Sequence, residues 1–217
     1  MVSVIQPEDN SDMGFYDDRV LPHILNFMCG MDVDKPFREK ACADLTGDVV
    51  ELGFGSGTNV EFYPDTVTRI AAIEPNDEAW KIAAKRVAGS SVPIDRAGLD
   101  GQHLPFDDDS FDHALSTFTM CTIPDLPAAL AEVKRVVRDG GTLHFLEHGI
   151  APDEKVRTWQ HRLEPMQKRL VGGCHLTRDI PRALADAGLT VESLEQFYEK
   201  GAPKSLAAMS LGVARIG

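Results

Sequence analysis

The chain has little of what would direct it to a membrane, to secretion or to a nucleic acid. Its 217 residues hold only four cysteines, Cys29, Cys42, Cys121 and Cys174, with no CxxC pair and no metal-ligand spacing against the seven histidines. A disulfide scaffold and a zinc site are therefore not expected, and reduced thiols in a cytoplasm fit best. No apolar run approaches the ~20 residues of a membrane span. The opening MVSVIQPEDNSD lacks the basic-then-apolar order of a signal peptide. Basic residues are scarce: 22 Lys and Arg stand against 34 Asp and Glu, a formal net charge of -12 that repels a phosphate backbone. These absences point to a cytoplasmic protein without nucleic-acid or membrane partners, a monomer or homodimer acting on small molecules.

What is present suits one globular domain, with 43% hydrophobic and 26% charged residues. The first fifteen residues are polar and punctuated by Pro7 and Gly14, whereas Asp17 to Asp44 carries Val20, Ile24, Leu25, Phe27 and Met28 at mostly helical intervals. Residues 1–44 are thus expected to form a tail and helices capping the site of residues 45–217. From Asp48 short apolar runs follow, VVEL, RIAAI, VPID, FDHALS and TLHFLE, each reading as a buried strand. Helical patterns lie between and after them, over 77–87, 126–137, 156–170 and 178–187. Two last strands, 190–197 and 206–214, joined through Gly201-Ala202-Pro203, suit an antiparallel hairpin. The alternation predicts an α/β, doubly wound, mostly parallel seven-stranded sheet, with ligands at the strands' carboxyl ends where strand order reverses.

Residues 49–59 read VVELGFGSGTN: a buried strand, Glu51, then Gly53, Gly55 and Gly57 opening a short helix. A dinucleotide fingerprint spaces its glycines GxGxxG to seat a pyrophosphate on a helix N-terminus. Here the spacing is GxGxG behind an acid, which opposes a pyrophosphate and favours an ammonium or sulfonium.

This loop resembles the signature of class I S-adenosylmethionine-dependent methyltransferases, and four further places resemble that family in the right order. The resemblance implies S-adenosyl-L-methionine as cofactor and S-adenosyl-L-homocysteine as product. It implies Glu51, Gly53, Gly55, Gly57 and Asn59 around the cofactor. Glu74, 21 residues after Gly53 and followed by Pro75, would accept hydrogen bonds from the ribose hydroxyls. Asp100, Gly101 and Gln102 in LDGQHLPF would stand at the adenine edge, and Thr117 and Phe118 in the loop after strand four. Within the superfamily the chain is similar to the type 11 branch and in particular to the methyltransferase-like 7 thiol methyltransferases. GFGSGTNVEFYP, FTMCTIPD, FLEHG and GGCHLTRDI carry that similarity. Two departures stand out: a polar tail in place of a membrane-anchoring helix, and Phe54 where a cysteine or other small residue is usual.

The acceptor pocket is expected around Tyr16, His23, Met120, Cys121, Trp159 and His175. The string His144-x-x-Glu147-His148 invites a metal reading, but TLHFLE reads as a strand, so His144 and Glu147 would point apart and no metal is expected. Glu147 and His148 close strand five, where the transferred methyl emerges, and are the catalytic candidates. Two candidate bases favour a hydroxyl acceptor, a sugar or other polar metabolite. A small thiol comes second, a quinone-type ring carbon third, since the apolar surface for a lipid tail is not evident in the sequence. A non-catalytic cofactor-binding protein is the rival from another class.

Overall fold

The structure, a computed structural model, describes residues 14–217; most of the polar N-terminal tail lies outside the described residues. Seven strands, β1 (Gly47–Leu52), β2 (Val67–Ile73), β3 (Ile94–Gly98), β4 (Phe111–Thr117), β5 (Val137–His148), β6 (Thr190–Tyr198) and β7 (Ala208–Arg215), form one sheet in the order β3-β2-β1-β4-β5-β7-β6. The first five pair in parallel, and β7 runs antiparallel between β5 and β6. This is the doubly wound sheet with an antiparallel C-terminal hairpin that the sequence pattern predicts. Strand order reverses between β1 and β4, whose registers set Leu52 opposite Ser116. The loops beginning at Gly53 and Phe118 therefore leave the sheet side by side, at the reversal of strand order where sheets of this kind take their ligands.

Helices cover both faces. α1 (Leu21–Met28), preceded by a π-helical segment Tyr16–Val20, and α2 (Lys35–Cys42) come before the sheet. α3 (Asp77–Ala88), α4 (Leu126–Val136), α5 (Glu154–Leu170) and α6 (Ile180–Asp186) follow. Their starts are written in the sequence. Asn76 Oδ1 accepts the amides of Glu78 and Ala79 at 2.8 and 2.9 Å, and Asp125 and Asp179 cap α4 and α6 in the same way. On one face Leu126, Leu130, Val133, Ile180 and Leu184 pack on Val50, Leu52, Leu143 and Phe145. On the other, Ala41, Cys42 and Ala83 pack on Val49, Ile70, Leu115 and Leu146. Each Leu, Ile, Val or Phe among them contributes about 1.5–3 kcal/mol on burial.

Several boundaries differ from the sequence expectation, among them the start of β5, at Val137 rather than at Thr142. No α-helix follows the glycine loop; a single 3-10 turn, Val60–Phe62, stands there. Tyr63, at φ -67 and ψ 126, is held extended by Pro64 and stops the turn from growing. β3 starts at Ile94, after Pro93, and β7 at Ala208, because Lys204–Leu206 forms a 3-10 turn first. Among the described residues no helix is long and apolar enough to cross a membrane.

Candidate active site at the carboxyl ends of β1, β2, β4 and β5

The three loop glycines all have positive φ, 62° at Gly53, 59° at Gly55 and 75° at Gly57, yet they serve different ends. A Cβ on Gly53 would lie 2.1 Å from Thr119 Oγ1, so this glycine lets the β1 and β4 loops meet. A Cβ on Gly57 would press on the Phe54 ring at 3.2 Å. That ring is buried and packs on Trp80 with centroids 5.3 Å apart, which places the unusual Phe54 in the core. Over Gly55 a Cβ would meet only the Gly53 carbonyl oxygen, at 3.8 Å. The space above Gly55 is open, a cradle that any side chain would fill.

Glu74 ends β2 and is fixed before any ligand arrives. Its two carboxylate oxygens accept the Gly55 amide at 2.6 Å and the Asn76 amide at 2.7 Å. Burial raises its pKa, opposed by those amides and by Arg96. Arg96, on β3, also donates to the Glu74 and Pro75 carbonyls at 2.9 and 3.2 Å, so it pins the backbone on which Glu74 stands. No motif in the sequence pointed to Arg96, since it reaches Glu74 only because β2 and β3 pair.

Behind the loop lies a buried polar network. Glu51 accepts Asn59 Nδ2 at 2.8 Å and the Tyr63 hydroxyl. Burial pushes its acid up to about 7, against the pull of Tyr63, Asn59 and Arg38. Arg38 of α2 donates to Asn59 Oδ1 at 2.7 Å, to Thr117 Oγ1 at 3.0 Å and to the Cys29 carbonyl at 3.0 Å, with its guanidinium 5.0 Å from the Phe118 ring centroid. It is only 2% exposed, and its Nε has no partner among the described residues. Sequence reasoning missed Arg38. The available signal was a charge on the same helical face as Ala41 and Cys42, where an apolar side chain is expected.

Phe118 has φ 54°, a strained value for a side-chain-bearing residue, and its amide is tied to the Leu146 carbonyl at 2.9 Å. Asp100 closes its own turn, accepting Gln102 N at 2.8 Å and facing His103 Nδ1 at 3.1 Å. Gln102 and His103 hold its carboxyl below the usual range. Gly101 lies against Leu52, and Gln102 Oε1 accepts the Asp125 amide at 3.0 Å.

The two residues that close β5 are both engaged. Glu147, wholly buried, accepts the Ser116 hydroxyl at 2.7 Å, the Thr119 amide at 3.1 Å to each oxygen and the Cys121 amide at 3.3 Å. It holds the loop after β4. Burial pushes its acid up to about 7 although these donors favour the carboxylate. His148 Nε2 lies 2.5 Å from the Leu206 carbonyl, which can only accept, so Nε2 carries a proton. Its Nδ1 is 3.5 Å from Cys174 Sγ. Burial works to lower the imidazole pKa, but Cys174, the Leu206 carbonyl and Glu147 together raise it.

The acceptor-pocket candidates are scattered more widely. Met120 is wholly buried and belongs to the core beside Leu52 and Ile180. Cys121 lies under the loop, with Glu147 on its amide. Tyr16 donates to the Leu170 carbonyl at 3.0 Å, tying the N-terminal segment to α5. His23 is exposed near Glu78, and His175 sits beside Glu164. Trp159 is 56% exposed under the Arg162 guanidinium, on the solvent side of α5. His144 turns to the Ala41 carbonyl at 3.0 Å, away from Glu147.

Comparison with known proteins agrees with this geometry. Residues 50–145 match the family described as Methyltransferase domain, type 11. The chain is 30% identical over 162 residues to thiol S-methyltransferase TMT1B of Rattus norvegicus, covering 68% of this chain and 62% of that protein. It is 29% identical over 138 residues to demethylmenaquinone methyltransferase of Thermobifida fusca, covering 59% of this chain and 57% of that protein. The chain thus spans about 60% of the length of such relatives. Among solved structures, the methyltransferase in complex with the Haloferax volcanii Trm112 activator superposes with TM-score 0.69 at 18% identity, covering 98% of this chain and 99% of that one. A possible histamine N-methyltransferase of Thermotoga maritima superposes with TM-score 0.66 at 19% identity, over 94% of this chain and 99% of that one. With the glycine cradle, the Glu74 clasp and the strand order already in place, residues 50–145 are similar to the type 11 methyltransferase domain, and the fold is that of S-adenosylmethionine-dependent methyltransferases.

Proposed function

We propose that this chain transfers the methyl group of S-adenosylmethionine to the sulfur of a small thiol. The observation that carries the choice of acceptor is the engagement of both residues closing β5. Every donor-seeking oxygen of Glu147 is occupied, and His148 lies between the Leu206 carbonyl and Cys174. The hydroxyl acceptor expected from two candidate bases therefore loses its support. An alcohol needs a base in place, whereas a thiol of unperturbed pKa ~8.5 already offers thiolate near neutral pH. The similarity to TMT1B supports the same acceptor.

The residues fit the cofactor. Gly55 leaves room for its methionine portion, and Glu74, already oriented by two amides, presents its remaining lone pairs to the ribose hydroxyls. Arg38, with an unpartnered Nε, faces the carboxylate end, with Asn59 and Thr117 beside it. Asp100, Gly101 and Gln102 line the adenine side, and Phe118 stands in the loop after β4 beside Arg38. When bound, S-adenosylmethionine supplies an already activated methyl, so the protein's task is to align the acceptor and exclude water. Of the expected cap, residues 1–44, the part that lies in the described residues, with α1 and α2, covers residues 45–217, and Glu147 acts as a positioning residue for the loop after β4.

The test is release of S-adenosylhomocysteine on matched panels of small thiols, alcohols and saccharides. Turnover confined to thiols is expected; turnover confined to alcohols or sugars overturns the reading, and cofactor binding without turnover on any panel marks a binding module. One observation favours a second reading. Val20 of the π-helical segment and Ile24, Phe27 and Met28 of α1 face solvent, an apolar row whose exposure periodicity alone did not reveal. Such a row suits a lipid-tailed ring of the kind named for the Thermobifida fusca relative, and a demethylmenaquinone analogue belongs in the panel.

A further inference from the structure

We infer that Cys174, Cys121 and His148 form a redox-active dithiol site, in which a small hydroperoxide oxidises Cys174 and Cys121 closes the disulfide. The two Sγ atoms are 3.7 Å apart, and His148 Nδ1 is 3.5 Å from Cys174 Sγ. Three segments distant in sequence meet here: the loop after β4, the end of β5, and the stretch that follows α5. Nothing in methyl transfer as described above uses Cys174, and among the described residues no group of three or more His, Cys, Asp or Glu is placed to hold a metal ion, so the cluster is read as thiol chemistry.

The four cysteines are not equivalent. Burial pushes Cys29 up to about 11 and raises Cys42. Cys121 is raised by its hydrogen bond with Cys174, by burial and by the neighbouring Glu147 carboxylate, which keeps it a protonated donor. Cys174 alone is held down, to about 5, first by that donor and then by His148, in spite of its own burial. Since the thiolate is the reactive species, oxidation begins at Cys174. Both sulfurs are buried, which excludes bulky oxidants and selects small hydroperoxides.

The chemistry balances. The Cys174 thiolate attacks the terminal oxygen of ROOH; an S–O bond forms, the O–O bond breaks, and the departing alkoxide takes a proton from the His148 imidazolium. The Cys121 sulfur then attacks the sulfenic sulfur, an S–S bond forms, and the S–O bond breaks with loss of water that carries the Cys121 proton. Two thiol sulfurs are oxidised, and the peroxide is reduced to ROH and water. A disulfide needs the sulfurs at about 2.0 Å. The approach is eased by Gly172 and Gly173, which precede Cys174 with φ of 51° and 81° and allow the backbone to shift.

The experiment uses the intact protein and hydrogen peroxide, followed by alkylation under denaturing conditions and peptide mapping by mass spectrometry. The expected result is loss of two of the four alkylatable thiols, with one cross-linked peptide pair joining Cys121 to Cys174, reversed by dithiothreitol. In Cys121→Ser the disulfide is lost and dimedone traps a sulfenic acid on Cys174. Retention of all four thiols, or a disulfide that involves Cys29 or Cys42, overturns the proposal. The wild-type map decides the matter even where the variant fails to fold. No methyl acceptor enters the measurement, so its outcome is separable from that of the thiol-acceptor reading.

Discussion

Glu74 and Gly55 meet at one hydrogen bond of 2.6 Å, and that contact makes their replacements distinguishable. Hydrogen bonds to a charged group contribute about 1.5–3 kcal/mol each, so Glu74→Ala should weaken S-adenosylmethionine by at least roughly tenfold; unchanged affinity in calorimetry removes Glu74 from the site. Gly55→Val fills the open space above the loop and also strains a φ of 59°, and should abolish cofactor binding while circular dichroism still reports the fold. Glu147 offers a pH test. In the folded chain its acid titrates at about 7, in the unfolded chain near 4.5, so between those values the folded state holds a proton that the unfolded state has released. Stability from this group is fully present below pH 4.5 and is lost as pH rises through about 7. The stability advantage of the wild type over Glu147→Gln should therefore shrink across that window in melting curves taken at several pH values. A constant difference sinks the assignment.

At the scale of elements, α2 joins the N-terminal helices to the site through one side chain. Arg38 satisfies Asn59 Oδ1, Thr117 Oγ1 and the Cys29 carbonyl from inside the protein. Arg38→Met leaves Asn59 Oδ1 and the Cys29 carbonyl without that donor, at about 1–3 kcal/mol for each one that stays unpaired, while Thr117 Oγ1 keeps Asn59 Nδ2 at 2.9 Å. It should lower the melting temperature and weaken S-adenosylmethionine together. Arg38→Lys, with a single point of charge in place of a planar fork, should restore only part of either. If calorimetry on Arg38→Met shows full cofactor affinity in a destabilised protein, Arg38 is structural only. The loop after β4 is the other element held from a distance, by Glu147 on β5 and by Thr119 against Gly53. Both contacts depend on β4 standing between β1 and β5.

For the molecule as a whole, the sheet order makes the last strand indispensable. β7 lies between β5 and β6, its Met209 beside His148, and the turn before it supplies the Leu206 carbonyl to the imidazole. Removal of residues 208–217 would uncover the edge of β5 and leave β6 without its partner. The truncated chain should be insoluble or aggregate on size-exclusion chromatography, and a monomeric, cofactor-binding product would show that the hairpin is an appendage. The surface is acidic overall, yet α1 exposes an apolar row at the cap, so the whole-molecule charge of -12 says little about what approaches the site.

The sequence by itself determined the α/β alternation, the antiparallel close and the glycine loop, because these rest on local period, turn residues and caps such as Asn76 and Asp125. That Glu74 follows directly on β2 was legible too, whereas its role came only from the family resemblance. The absence of a helix after the loop was readable in principle from Tyr63-Pro64, but the expectation for such loops outweighed the proline. Only the tertiary structure decided what each polar group does. Arg38 reaches Asn59 and Thr117 across 21 and 79 residues of chain, and Cys174 meets Cys121 across 53 and His148 across 26. No local pattern encodes such meetings. They arise where the sheet order brings strand ends together, and burial then fixes which acids and thiols carry a proton.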